Sequence, residues 1–150
     1  MIERVRRRLD AGRDESGSAI VEFVLLVGPL FVPLVYLIIA GFETQRTAFA
    51  VAEGARQAGR AFVLAEGGAD ARARALFAGN LAVVDQGLPA LDPEDMSVSA
   101  PRGFCRGGSV TVTLKGSASL PMLPARLATF RISAEHTEVI DDLQDLPACS

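Results

Sequence analysis

Few side chains in this chain of 150 residues could do chemistry, and they stand far apart. The junction GSAIVEF, residues 17–23, sets a glycine, a small hydroxyl residue and then the carboxylate of Glu22 at the head of a long apolar run. Glycine has no Cβ and lets a chain lie extended in a protease cleft, so Gly17 and Ser18 form a candidate processing site. Cleavage between them would free an ammonium on Ser18, four residues before Glu22 and therefore on the same helical face. A carboxylate within a bilayer costs about 2.5–3.5 kcal/mol at the centre and less near the boundary, which drives Glu22 towards a cation. The ammonium of a neighbouring subunit is such a cation, and Glu22 with the adjoining Phe23 is the candidate registration site between subunits; the bland alternative is an interfacial residue that marks where the helix leaves the bilayer.

Cys105 and Cys149 both lie downstream of the apolar run and share one compartment. Outside the cytoplasm they can form a disulfide, whose loop closure would stabilise a small domain by roughly 3–4 kcal/mol; the bland alternative is two unrelated thiols. Together with His136 they offer at most three soft ligands and no short CxxC spacing, so neither a metal nor another cofactor is expected. His136 sits in the polar stretch AEHTEVIDD, which suits a solvent-facing or capping role better than a general base. Asp92, Glu94 and Asp95, and Asp141, Asp142 and Asp145, cluster beside prolines or in the polar tail and read as solvated loops. The chain has no GxSxG, HExxH or phosphate-cradling glycine loop. No enzymatic activity and no small-molecule substrate are expected.

These residues must be positioned by a small number of elements. Residues 23–42, FVLLVGPLFVPLVYLIIAGF, carry no charge, and a helix of that length spans about 30 Å of hydrocarbon. Five of the 15 basic residues (Arg4, Arg6, Arg7, Arg8 and Arg13) precede it, which predicts an N-terminus inside the cytoplasm and the remainder outside. Pro29 and Pro33 each remove a backbone donor, so a kink or softened segment is expected there. The rest of the chain is mildly acidic without a basic stripe, which argues against nucleic acid.

A cleaved secretory signal would end at a small-x-small site in a loop, whereas residues 44–63 contain no proline and continue a helical pattern. Ala48, Val51, Ala52, Ala55, Ala58, Gly59 and Phe62 fall on one arc; Glu43, Arg46, Glu53, Arg56 and Arg60 fall on the other, with Phe49 among them. One helix, membrane-embedded in its first half and amphipathic in its second, should run to the Gly67-Gly68 pair. A second, shorter helix is expected from an Asp70 cap, with Ala73, Leu76, Phe77, Leu81 and Val84 turned inward, stopped by Gly87 and Pro89. The period then changes to two at Met96, Val98 and Ala100, again at Val110, Val112 and Leu114, and again at Phe130, Ile132 and Ala134, predicting three to four antiparallel strands. Loops are expected around Cys105 and between Pro121 and Pro124, and a polar tail over residues 141–150 pinned through Cys149.

The stretch GSAIVEFVLLVGPLFVPLVYLII, the small-residue segment AFAVAEGARQAGRAF behind it, and short strands with a late cysteine pair resemble the TadE-like family of tight-adherence (Flp-type) pilus systems. The resemblance implies an α+β, pilin-like fold in three parts: a cytoplasmic leader over residues 1–17, a transmembrane helix over residues 18–43, and an extracytoplasmic head over residues 44–150. It implies a minor pilin or pseudopilin that acts in pilus assembly and cell adhesion, with its leader removed after Gly17 by a prepilin peptidase. The partners implied are the membrane, that peptidase, other pilin subunits and the Tad assembly machinery. Localisation would be the cytoplasmic membrane as a single-pass protein, then the cell surface or pilus after processing. The alternative is a single-pass membrane protein whose extracytoplasmic head binds an unrelated ligand.

Overall fold

The computed structural model describes residues 15–65, 68–120, 128–143 and 146–149. The loop expected between Pro121 and Pro124, Gly67, Asp145 and most of the leader lie outside the described residues. The chain divides into two units, Met1–Gly41 and Phe42–Ser150, so the division falls two residues from the boundary expected between membrane segment and head.

Helix α1 spans Glu15–Leu64 and takes part in both units. It begins ahead of Gly17, which therefore lies in its first turn and not in an extended stretch before it. A helical glycine costs up to about 1 kcal/mol relative to alanine, a penalty the long run of helix formers behind it outweighs. Pro29 and Pro33 sit inside the helix, which continues unbroken through both. Among the described residues of the first unit most side chains are exposed: Ile20, Phe23, Leu26, Leu30 and Val32 all present more than half of their surface, and Tyr36 is half-buried. The helix is long and apolar enough to cross a membrane, and none of its most apolar window is buried within the protein. That exposure is what lipid would cover.

In the second unit α1 is followed by α2 (Gly68–Asp85), a single 3₁₀ turn (Pro93–Asp95) and strands β1 (Met96–Ser99), β2 (Ser109–Ser119) and β3 (Thr129–Val139). The strands form one antiparallel sheet in the order β1-β2-β3, with Met96 opposite Leu114, and Ser109 opposite Val139. The architecture is α+β, as the change of period from 3.6 to 2 along the chain indicated. β2 shows the alternation most fully, because it is the central strand: Val110, Val112, Leu114, Gly116 and Ala118 are buried and the residues between them are not. The buried side chains of β2 meet Val51, Ala55 and Ala58 of α1, Ala75 and Val83 of α2, and Ile140 in one core.

The arc expected to face inward on α1 does so: Val51, Ala55, Ala58 and Gly59 are buried, and Phe49 is outward as placed. On α2 the inward face is not the one expected. Ala71, Ala75, Gly79 and Val83 are buried and Leu76 is half-buried, while Ala73, Phe77, Leu81 and Val84 are exposed. Close approach decides this. A Cβ built on Gly54 would lie 2.9 Å from Val83 Cγ2 and 3.1 Å from Leu114 Cδ1, and one on Gly79 would lie 3.2 Å from the same Leu114 carbon. Two glycines thus let α1 and α2 approach with Leu114 wedged between them, and the bulkier residues of α2 are rotated outward. A second close approach occurs at Gly116, where any Cβ would collide with the side chain of Val51.

Helix α2 begins at Gly68, so Asp70 falls within its first turn instead of capping it, where a carboxylate still meets the positive end of the helix dipole. Its end is the glycine stop expected. Gly87 adopts a positive φ of 74°, its N–H bonds the Val84 carbonyl at 2.8 Å, and the Leu88 N–H bonds the Val83 carbonyl at 3.3 Å.

Candidate processing and assembly site

Gly17, Ser18, Glu22 and Phe23 follow one another along the first three turns of α1. Four residues at 1.5 Å rise separate Ser18 from Glu22 by about 6 Å along the axis, so a nitrogen at the first position and a carboxylate at the second share a face. Glu22 and Phe23 are both exposed, Phe23 at 64%. Among the described residues Glu22 has neither an ion-pair nor a hydrogen-bond partner. A carboxylate so placed, followed by no other charge before Glu43, can be satisfied by headgroups, by water at the interface or by a cation from another chain. The Tyr36 hydroxyl is buried without a hydrogen-bond partner among the described residues, the second polar group of this segment with unused bonding capacity.

Cys105 and Cys149 are brought together as the sequence suggested. They form a disulfide with Cα atoms 5.1 Å apart, closing a separation of 44 residues. Backbone bonds hold the same junction: the Arg106 N–H donates to the Pro147 carbonyl at 2.9 Å, and the Ile140 N–H donates to the Gly108 carbonyl at 2.9 Å. Arg106 and Ala148 also form an isolated parallel bridge. The polar tail is therefore stitched to the loop that precedes β2.

His136 does not face solvent in the manner expected. It continues the inward-facing register of Ile132 and Ala134 on β3 and is half-buried. Its Nε2 lies 3.0 Å from Glu138 Oε1, and the same oxygen is 3.5 Å from Arg60 Nε. Gly59 leaves the space these side chains occupy, since a Cβ there would be 3.2 Å from Glu138 Cγ. The trio joins β3 to α1. The acidic residues near Pro93 are also more ordered than a solvated loop: the Asp92 N–H donates to Asp95 Oδ2 at 3.2 Å, and the Asp95 N–H donates to the Asp92 carbonyl at 2.9 Å. Among the described residues no three His, Cys, Asp or Glu side chains gather as a metal-binding group.

Two tethers had no signal in the sequence. Asn80, on α2, both donates to the Leu91 carbonyl and accepts from the Leu91 N–H, so its amide replaces a strand neighbour for that residue. Arg72 reaches the Met96 carbonyl at 2.7 Å and fixes the start of β1. Both are polar residues on a helix whose polar face looks solvated in one dimension.

No family model matches this chain, and neither a curated protein nor a solved structure does so.

Proposed function

We propose that this protein is a TadE-like minor pilin or pseudopilin, a structural or assembly component of a tight-adherence (Flp-type) pilus, whose leader is cut after Gly17 by a prepilin peptidase. One observation carries the reading: Glu22 is an exposed carboxylate, without a partner among the described residues, five residues after Gly17 and at the head of a helix that remains uncharged through Phe42. A carboxylate at the head of a membrane helix is satisfied by headgroups or water in an ordinary anchor, and in a subunit that packs against its neighbours it can also pair with a cation on the next chain. Cleavage after Gly17 creates the ammonium that such a carboxylate can pair with. The glycine also lowers the cost of unwinding the first turn of α1, which a peptidase must do to grip an extended chain.

The disulfide-closed head of α1, α2 and three strands supports the same reading, being a small unit carried on the outer half of the helix that assembles. The experiment is intact-mass and N-terminal analysis of the mature protein from cells with an active prepilin peptidase. Ser18 is expected as the first residue. A retained leader would overturn the proposal in favour of a single-pass protein with an unrelated binding head.

A further inference from the structure

β1 covers only part of β2. It runs from Met96 opposite Leu114 to Ser99 opposite Thr111, whereas β2 continues to Ser119. In an antiparallel sheet the backbone groups of successive residues point to opposite sides of the strand. The Ile140 N–H bonds the Gly108 carbonyl and the Leu120 N–H bonds the Ala128 carbonyl, both on the β3 side, so the even-numbered residues between them face β3 and the odd-numbered ones face β1. Ser117 and Ser119 therefore turn an N–H and a carbonyl to the side where β1 has ended, and among the described residues neither has a backbone partner there. A cavity of about 310 Å³ borders this side at Lys115, Gly116 and Ser117. Val83, Leu88 and Leu91 form its apolar inner wall, and Gly116 adds no side chain to fill it. The outer rim is basic. Lys115 lines it, and so does Arg131, which stands on β3 opposite Ser117 and reaches the cavity across that small residue. Neither cation has an ion pair among the described residues. Asp92 and Asp95 border the end nearest β1.

We propose that this edge takes up an extended segment of another protein, which adds to β2 as a strand in line with β1 and carries an acidic side chain beside an apolar one. In strand addition the main-chain bonds supply affinity and alternate side chains supply selectivity. Here Ser117 and Ser119 offer the main-chain bonds. A residue placed opposite Ser117 points outward as Ser117 does, and an acid at that position meets Lys115 and Arg131 together. The next residue points inward, past Gly116, onto Val83 and Leu88. Asp92 and Asp95 repel a second acid at the end nearest β1, so the residue there is neutral. The volume stands at the low end of the ~300–1,000 Å³ usual for ligand sites and admits a few residues of chain, not a folded domain. A free anion would satisfy the two cations but leave the strand edge and the apolar wall unused. The inference concerns the head alone and does not depend on cleavage of the leader.

The test uses the full chain in detergent micelles and the peptide Thr-Val-Glu-Val-Thr, amidated at its C-terminus and either acetylated or fluorescein-labelled at its N-terminus. Fluorescence anisotropy should show saturable binding below about 1 mM, the weak range expected of so short a strand. Saturation with the acetylated peptide should slow hydrogen exchange at the Ser117 and Ser119 amides. The peptide with lysine in place of glutamate should bind about tenfold more weakly, since like charges across a contact reject the wrong partner. Lys115→Glu combined with Arg131→Glu should invert that order while the Cys105–Cys149 bond still forms and Tm is kept, which separates a change of selectivity from a change of fold. Absence of binding to the unmodified chain would overturn the proposal, as would equal affinity for the two peptides or a preference that the double variant leaves unchanged. Protection appearing along the free edge of β3 instead of at Ser117 would also overturn it. Failure here with Ser18 as the mature N-terminus would leave the pilin reading intact, and a retained leader with peptide binding would leave the strand edge intact.

Discussion

Gly54 of α1 and Gly79 of α2 stand face to face, so that a Cβ built on either would lie 3.2–3.3 Å from the other's carbonyl oxygen. The head is organised around this contact, because Leu114 of β2 enters the space the two missing side chains leave. Gly54→Ala is expected to destabilise the head by about 1–3 kcal/mol through overpacking, lowering Tm by about 5–15 °C. Gly28→Ala, on the same helix but with nothing within 4 Å, should shift it little. Thermal melts of the two full-length variants in one detergent make the comparison, and equal melting temperatures would refute the close-packing account.

Gly116 and Val51 give a second, pairwise test. Gly116→Ala introduces a methyl group where Val51 stands, and Val51→Ala alone opens a small cavity in a fully buried site. The double variant should be more stable than the sum of the two single losses implies, by about 0.5–3 kcal/mol, because the added methyl fills what the valine vacates. Additive losses in denaturant titrations would show that the two positions are not in contact.

Reduction of the Cys105–Cys149 bond releases a loop of 44 residues from its constraint. The chain-entropy relation puts the loss at about 4 kcal/mol, a large part of the stability of so small a head. Melting with and without a reductant, and of Cys105→Ser with Cys149→Ser, should give the same lowered Tm; an unchanged Tm on reduction would contradict it.

Asn80→Ala removes both bonds to Leu91 and leaves that residue's backbone groups without a partner among the described residues. A cost of about 1–3 kcal/mol is expected, concentrated locally. Hydrogen exchange should show the Leu91 amide losing protection before those of β2, whereas loss of protection across the whole sheet would mean that the tether supports the fold globally.

Glu22→Gln removes the charge and keeps the shape. On the proposed pilin reading, insertion into the membrane should be unimpaired or improved, while assembly into pili falls at least tenfold. Replacing Pro29 and Pro33 together by alanine should likewise preserve insertion and impair assembly, since a helix that has all its backbone bonds adapts less readily to a bundle. Unchanged pilus yield in either variant would remove the role assigned to that residue.

Most of the fold could be read along the chain. The uncharged stretch from Phe23 to Phe42 needs only its length and composition to be a membrane-scale helix, and the apolar arc of Val51, Ala55 and Ala58 follows from a period of 3.6. The strands follow from a period of 2, most plainly in Val110, Val112 and Leu114, and the disulfide from two cysteines in one compartment. The candidate processing site is legible for the same reason: Gly17, Ser18, Glu22 and Phe23 are neighbours in sequence, and a helix preserves sequence order in space.

Tertiary structure decided what depends on a partner distant in sequence. Periodicity marks a face of α2 as apolar but cannot rank it against a competing face of small residues. Gly79 and Ala75 turn inward only because Gly54 and Ala58 stand opposite, and packing at that distance outweighs the transfer of Phe77 and Leu81 from water. His136 looks polar and solvated until Gly59 and Arg60 are placed beside it, and Asn80 acquires its role only when Leu91 folds back against α2. Sequence by itself therefore determined the elements and the order of residues at the head of α1, which are local, whereas the direction in which each helix presents its bulk was settled by close contact between backbones far apart along the chain.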